Sequence, residues 1–130
     1  MQVGLVTIVV REYDEALAFF VDALGFDLVE DRADATKRWV VVRPPGAQTG
    51  ILLARGEGDE QRLAIGRQTA DRVGFFLEVG DFDSAHRRMA RAGVHFLENP
   101  RHEPYGTVAV FEDLYGNRWD LIERAADAAD

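Results

Sequence analysis

Three histidines, two tryptophans and a surplus of carboxylates (23 Asp and Glu against 15 Lys and Arg) are the chemically capable residues of this 130-residue chain. There is no cysteine, which removes disulfides, thiolate metal sites and a cysteine nucleophile from consideration. His86, His95 and His102 show no HxxxH spacing. By context the first falls on a helix, the second at a strand start and the third in a loop, and each reads as readily as a surface or packing residue as it does as a ligand. The chain carries no glycine-rich phosphate loop, nucleophile elbow or HExxH. Its net charge of −8 disfavours binding to a phosphate backbone, which needs a basic face. That charge suits solubility, or a cationic ligand. No apolar run approaches the roughly 20 residues that span a bilayer, and the N-terminus has no secretory pattern. A cytoplasmic location is therefore expected, with neither a membrane nor a nucleic acid as partner.

Such residues act only where elements hold them. Val3 to Val10 is an unbroken apolar, β-branched run and predicts a strand. Acidic residues at Glu12, Asp14 and Glu15 open a helix, where they suit the dipole. Leu17, Phe20, Val21 and Leu24 repeat at helical spacing, and Gly25 ends the helix. Strands are predicted at Phe26–Glu30, Arg38–Arg43 and Ile51–Arg55, with a polar turn over Asp31–Lys37. Gly56–Arg72 reads as a linker holding a short helix near Asp59–Ile65. The pattern then returns: strand Val73–Val79, helix Asp81–Ala92 closed by Gly93, strand Val94–Leu97, loop Asn99–Gly106, strand Thr107–Glu112, a turn at 113–117, and strand Arg118–Glu123. The alanine- and aspartate-rich tail from Arg124 is expected to fray.

The return is an internal repeat. Glu12-Tyr13-Asp14-Glu15-Ala16 matches Asp81-Phe82-Asp83-Ser84-Ala85 at an offset of 69 residues. Leu24-Gly25-Phe26 matches Ala92-Gly93-Val94 after a one-residue deletion, and Leu28-Val29-Glu30 then matches Phe96-Leu97-Glu98. The chain is thus expected to be one α+β domain: module one at 1–55, a linker at 56–72, module two at 73–124 and a tail at 125–130.

The opening, Val6-Thr7-Ile8-Val9-Val10 through Phe19-Phe20 to Leu24-Gly25-Phe26, resembles that of vicinal oxygen chelate proteins, the glyoxalase, bleomycin-resistance and extradiol dioxygenase family. The close, Phe111-Glu112-Asp113-Leu114-Tyr115-Gly116-Asn117-Arg118-Trp119-Asp120, resembles their final hairpin. The similarity runs over about residues 3 to 123. It implies two βαβββ modules forming an open, curled mixed sheet around a cleft, with helices outside and commonly a homodimer. Fold alone does not fix function here.

Metal enzymes of the family carry His or Glu at four positions, which align with Leu5, Leu52, Gly74 and Asp120. Only Asp120 has a donor, whereas a divalent cation wants about four to six. The resemblance therefore implies no metal and no cofactor. Alternate strand residues share a face, so counting by two from these positions gives a lining. Leu5 brings Val3, Thr7 and Val9. Leu52 brings Ala54, Gly74 brings Phe76 and Glu78, and Asp120 brings Arg118 and Ile122. The repeat adds Trp39, Val41 and Arg43, with Val108 and Val110.

Trp39 and Phe76 could stack on an aromatic or cationic ligand, or be core. Arg43 and Arg118 could hold a carboxylate. Glu78 and Asp120 could accept hydrogen bonds or move protons, or Glu78, Arg118 and Asp120 could pair with one another across strands. Tyr105 and Gly106 form either a mobile rim or a plain turn. The reading that follows is a metal-independent small-molecule binding protein, with sequestration of a ligand as its expected role and a homodimer as its expected state. The alternatives are a lyase or isomerase using the cleft carboxylates, a glyoxalase-type metalloenzyme, which the four aligned positions oppose, and a partner-binding module. No catalytic residue is assigned.

Overall fold

In the computed structural model, which describes residues 1–126, the chain forms two compact units, the first spanning Met1–Gln68 and the second beginning at Thr69. Residues 127–130 of the expected tail lie outside the described residues.

The first unit runs β1 (Leu5–Val10), α1 (Tyr13–Leu17), a π-helical continuation (Ala18–Ala23), β2 (Asp27–Ala33), β3 (Arg38–Arg43), β4 (Gly50–Arg55) and α2 (Gly58–Ala64). Its sheet has the order β1-β4-β3-β2. β1 lies parallel to β4, and the other pairs are antiparallel. The second unit runs β5 (Val73–Glu78), α3 (Phe82–Arg91), β6 (His95–Phe96), β7 (Arg101–Glu103), β8 (Gly106–Glu112) and β9 (Arg118–Arg124). Here the order is β5-β9-β8-β6, with β7 also on β8. Each unit has a mixed sheet: the first is a βαβββ arrangement followed by α2, and the second repeats that order with β7 as an added strand. The repeat and the α+β fold class are therefore what the chain adopts.

One face of each sheet is closed. In the first unit Ile8, Val10, Val40, Val42 and Leu53 are buried with Ala16, Phe20, Leu24 and Phe26 from the helix and its exit. In the second, Leu77, Ala109, Phe111, Trp119 and Leu121 are buried with Phe82, Ala85 and Met89 of α3. Phe75, Trp119, Phe111 and Phe96 form a continuous run of ring contacts, with centroids 4.7 to 5.7 Å apart. Both helices end at a glycine with positive φ, Gly25 at 82° and Gly93 at 89°, a conformation that costs an L-residue a clash.

Three elements differ from the sequence reading. β2 continues through Asp31 and Arg32 to Ala33, where a polar turn was expected. Its pairing with β3 continues to Ala33↔Arg38, past a bulge between Leu28 and Glu30, because an edge strand tolerates charge. The expected loop Asn99–Gly106 contains β7, whose three residues pair with Gly106, Thr107 and Val108. The first helix becomes π-helical after Leu17: the Leu24 N–H donates to the Phe19 carbonyl at 2.9 Å.

Candidate functional site

On the other face of the second sheet the register sets the rows, from exposed Phe76 at one edge to buried Val108 and Ile122 further in. Phe76 lies opposite Asp120 on β9, and Asp120 opposite Val110 on β8. In the next row Glu78 lies opposite Ile122, Ile122 opposite Val108, and Val108 opposite Arg101 on β7. Phe76 is 64% exposed, a large apolar ring presented beside a carboxylate.

Asp120 is held in place by the turn before it. The Asp113 Oδ1 accepts the backbone N–H groups of Tyr115, Gly116 and Asn117, and its Oδ2 accepts from Asn117 Nδ2 and Trp119 Nε1. The indole therefore locks the strand one residue before Asp120, and buried Asn117 is structural. The Asp120 Oδ1 is buried with no hydrogen-bond partner. Burial pushes its carboxyl above the ordinary carboxylate value, the Arg101 guanidinium draws it down, and the Glu98 carboxylate pushes it up.

Glu98, Arg101 and Glu103 were not singled out by the sequence. Arg101 donates from Nε to Glu98 Oε1 at 2.8 Å and from Nη1 to Glu103 Oε1 at 2.9 Å. Tyr105 lies in the turn between β7 and β8. The only signal available was the alternation Arg101-His102-Glu103, which puts two opposite charges on one side of an extended segment.

The sequence-derived residues divide. Phe76 and Asp120 are neighbours. Glu78 is not against Asp120 but ion-paired with Arg124, and the carboxylate that raises Asp120 is Glu98. Arg118 donates to the Asp71 carbonyl at 2.9 Å. Pairing among Glu78, Arg118 and Asp120 does not occur, because each of the first two finds its partner elsewhere. In the first unit Trp39, Val41 and Arg43 lie on the face carrying Leu52, which is opposite Val41. Trp39 donates from Nε1 to Glu30 Oε2 at 2.9 Å and stays 39% exposed.

A divalent cation does not fit the four aligned positions. Leu5 and Leu52 offer no lone pair. Gly74 sits at an irregularity in the β5–β9 register, and a Cβ there would lie 2.7 Å from the Thr69 hydroxyl oxygen. Threonine thus fills the space a ligating side chain would need. Among the described residues no group of three or more His, Cys, Asp or Glu could hold a metal.

A second concavity, about 690 Å³, lies in the first unit and is lined by Glu12, Tyr13, Asp14, Lys37, Arg38 and Arg55 among others. Its charges satisfy one another: Arg38 bonds Asp14 and Asp31, and Arg55 lies 3.7 Å from Glu12.

Comparison with known proteins decides the family. The sequence profile of the Glyoxalase/Bleomycin resistance protein/Dioxygenase superfamily matches residues 2–121. The chain belongs to this superfamily. A superfamily relative, an uncharacterized protein of Shewanella frigidimarina, is 50% identical over 121 residues, covering 91% of this chain and 90% of that one. Among solved superfamily-like structures, UcmS2 is similar at 30% identity and TM-score 0.81, over 94% of this chain and 97% of that one. TnmS3, an antibiotic binding protein from Streptomyces sp. CB03234, is similar at 29% identity and TM-score 0.80, over 96% and 97%.

Proposed function

We propose that this protein binds a small molecule without a metal ion. The ligand is a planar aromatic compound carrying a hydrogen-bond donor, neutral or cationic, held against Phe76 and Asp120 on the second sheet. The observation that carries the reading is the pairing of an unbonded, buried Asp120 Oδ1 with the exposed Phe76 ring directly across the strand register. A ring stacked on Phe76 directs a substituent N–H or O–H to that oxygen, and stacking contributes about 0.5 to 1.5 kcal/mol beyond its buried area. The net charge of −8 favours a cation over an anion. An antibiotic binding protein among the similar structures supports binding, and sequestration, as the role. A homodimer belongs to the same reading, because Val3 and Leu5 are exposed apolar residues that a second copy would shelter.

One observation favours the lyase or isomerase alternative: Asp120 holds its proton more tightly than an ordinary carboxylate, as a proton carrier should. The metalloenzyme alternative finds no donor set among the described residues.

Proflavine, a planar cation with amine donors, tests the reading by calorimetry in the presence of a chelator. Saturable binding is expected, weakened about tenfold by Phe76→Ala and tenfold or more by Asp120→Asn, since a lost charge-assisted contact costs about 2 kcal/mol or more. Naphthalene-2-sulfonate should bind far more weakly. Equal affinity in wild type and both variants, or binding that needs added metal, would overturn it.

A further inference from the structure

The outer edge of β8 is paired in an unusual way. β6 pairs with Glu112 and Phe111, and β7 with Val108, Thr107 and Gly106. Between them the chain leaves the sheet at residues 97–100, and Val110 would lose its partner strand. Leu97 N–H donates to the Val110 carbonyl at 2.9 Å. The Val110 N–H donates instead to a side chain, Glu98 Oε2, at 2.8 Å. Glu98 thus stands in for a strand carbonyl. Its other oxygen takes the Arg101 Nε. Val110 is the residue directly opposite Asp120, so one carboxylate bonds both the strand that flanks Asp120 and the guanidinium that bears on it.

We propose that Glu98 is a positioning residue for Asp120: through Val110 it fixes the strand beside that carboxylate, and through Arg101 it fixes a guanidinium in the adjoining row of the same sheet. The inference rests on the reading of Asp120 as the ligand's acceptor. Both charges act on Asp120, the guanidinium favouring its ionised form and the Glu98 carboxylate opposing it. The remaining charges around it are otherwise engaged. Glu78 on β5 is paired with Arg124 of β9, Arg118 of β9 bonds the Asp71 carbonyl, and Glu103 on β7 shares Arg101. Val110 and Val108 of β8 bring no charge. The arrangement spends a half-buried acid, itself drawn below the ordinary carboxylate range by Arg101, on holding one strand edge and one arginine.

The test is the titration of the Asp120 side chain followed by carboxyl-carbon NMR in the ligand-free protein, wild type against Glu98→Gln and Arg101→Met. Glutamine retains an oxygen for the Val110 N–H and loses the charge. Methionine removes the guanidinium and leaves Glu98 on Val110. Asp120 should titrate at lower pH in Glu98→Gln and at higher pH in Arg101→Met, opposite shifts that general loosening of the hairpin would not produce. An unmoved titration in both, or a shift of both in one direction, would overturn the proposal. Proflavine affinity measured across the same pH range separates the two claims. Affinity that rises as Asp120 ionises, and follows it in each variant, supports both. Opposite titration shifts with affinity indifferent to them would keep Glu98's role and sink the ligand reading.

Discussion

A carboxylate oxygen shut away from water with nothing to bond costs the folded state about 1 to 3 kcal/mol, and Asp120 Oδ1 is such an oxygen. The cost is charged before any ligand arrives and is recovered when a donor reaches it. It also fixes a pH dependence. Burial raises Asp120 above the ordinary value of 3.8, so the folded chain holds this proton more tightly than the unfolded chain does. Stability from this group is complete below about pH 3.8 and is lost as pH rises through the folded value. Asp120→Asn should therefore stabilise the ligand-free protein by about 1 kcal/mol at pH 7.5, and the gain should shrink as pH falls toward 4. Urea unfolding of both proteins across that range checks the sign. Asp120 was reachable from the sequence because the resemblance aligns it with a ligating position. Glu98 and Arg101 were not, because their role depends on a chain break that brings a loop carboxylate to a strand amide, and no periodicity records it.

At the scale of elements, the helices of the two units differ by one residue, and the difference has a location. Ala16 and Phe20 match Ala85 and Met89 at an offset of 69 residues, and all four are buried. Gly25 and Phe26 match Gly93 and Val94 at 68. The surplus residue lies between Phe20 and Gly25, where the π-helical segment Ala18–Ala23 is found. A π turn is how a helix absorbs one extra residue without rotating its buried stripe. Deleting exposed Asp22 should convert the segment to α-helix and shift the melting temperature by no more than a few degrees. Deleting Arg91 from α3, which has no surplus, should rotate the stripe and unfold the domain or lower its melting point by more than 10 °C, several kcal/mol for a chain of this size. Thermal melts of the two deletions check this. The sequence showed the one-residue slip, yet not its form, since the π and α patterns share their apolar positions here. β7 escaped for a different reason: Arg101-His102-Glu103 has no apolar residue to mark an inward face, and only its pairing with β8 makes it a strand.

For the molecule as a whole, the repeat made the architecture legible, because two weak patterns in the same order constrain each other more than either does alone. Assembly was not legible, since a self-complementary patch needs side chains placed in space. With Val3 and Leu5 exposed, light scattering at micromolar concentration is expected to give twice the mass of one chain. A mass equal to one chain would exclude the proposed homodimer. No helix among the described residues is long and apolar enough to cross a membrane.

The end of the first unit closes on a small device. Gln68 extends its side-chain amide along β1, accepting from the Val9 N–H at 2.6 Å and donating to the Thr7 carbonyl at 2.9 Å. β1 is the outermost strand of its sheet, and an outermost strand is a template on which a foreign strand can grow. The glutamine occupies the middle rungs of that template with one side chain that mimics a peptide group and carries no chain onward. A strand approaching this edge would meet a ladder already taken at its centre.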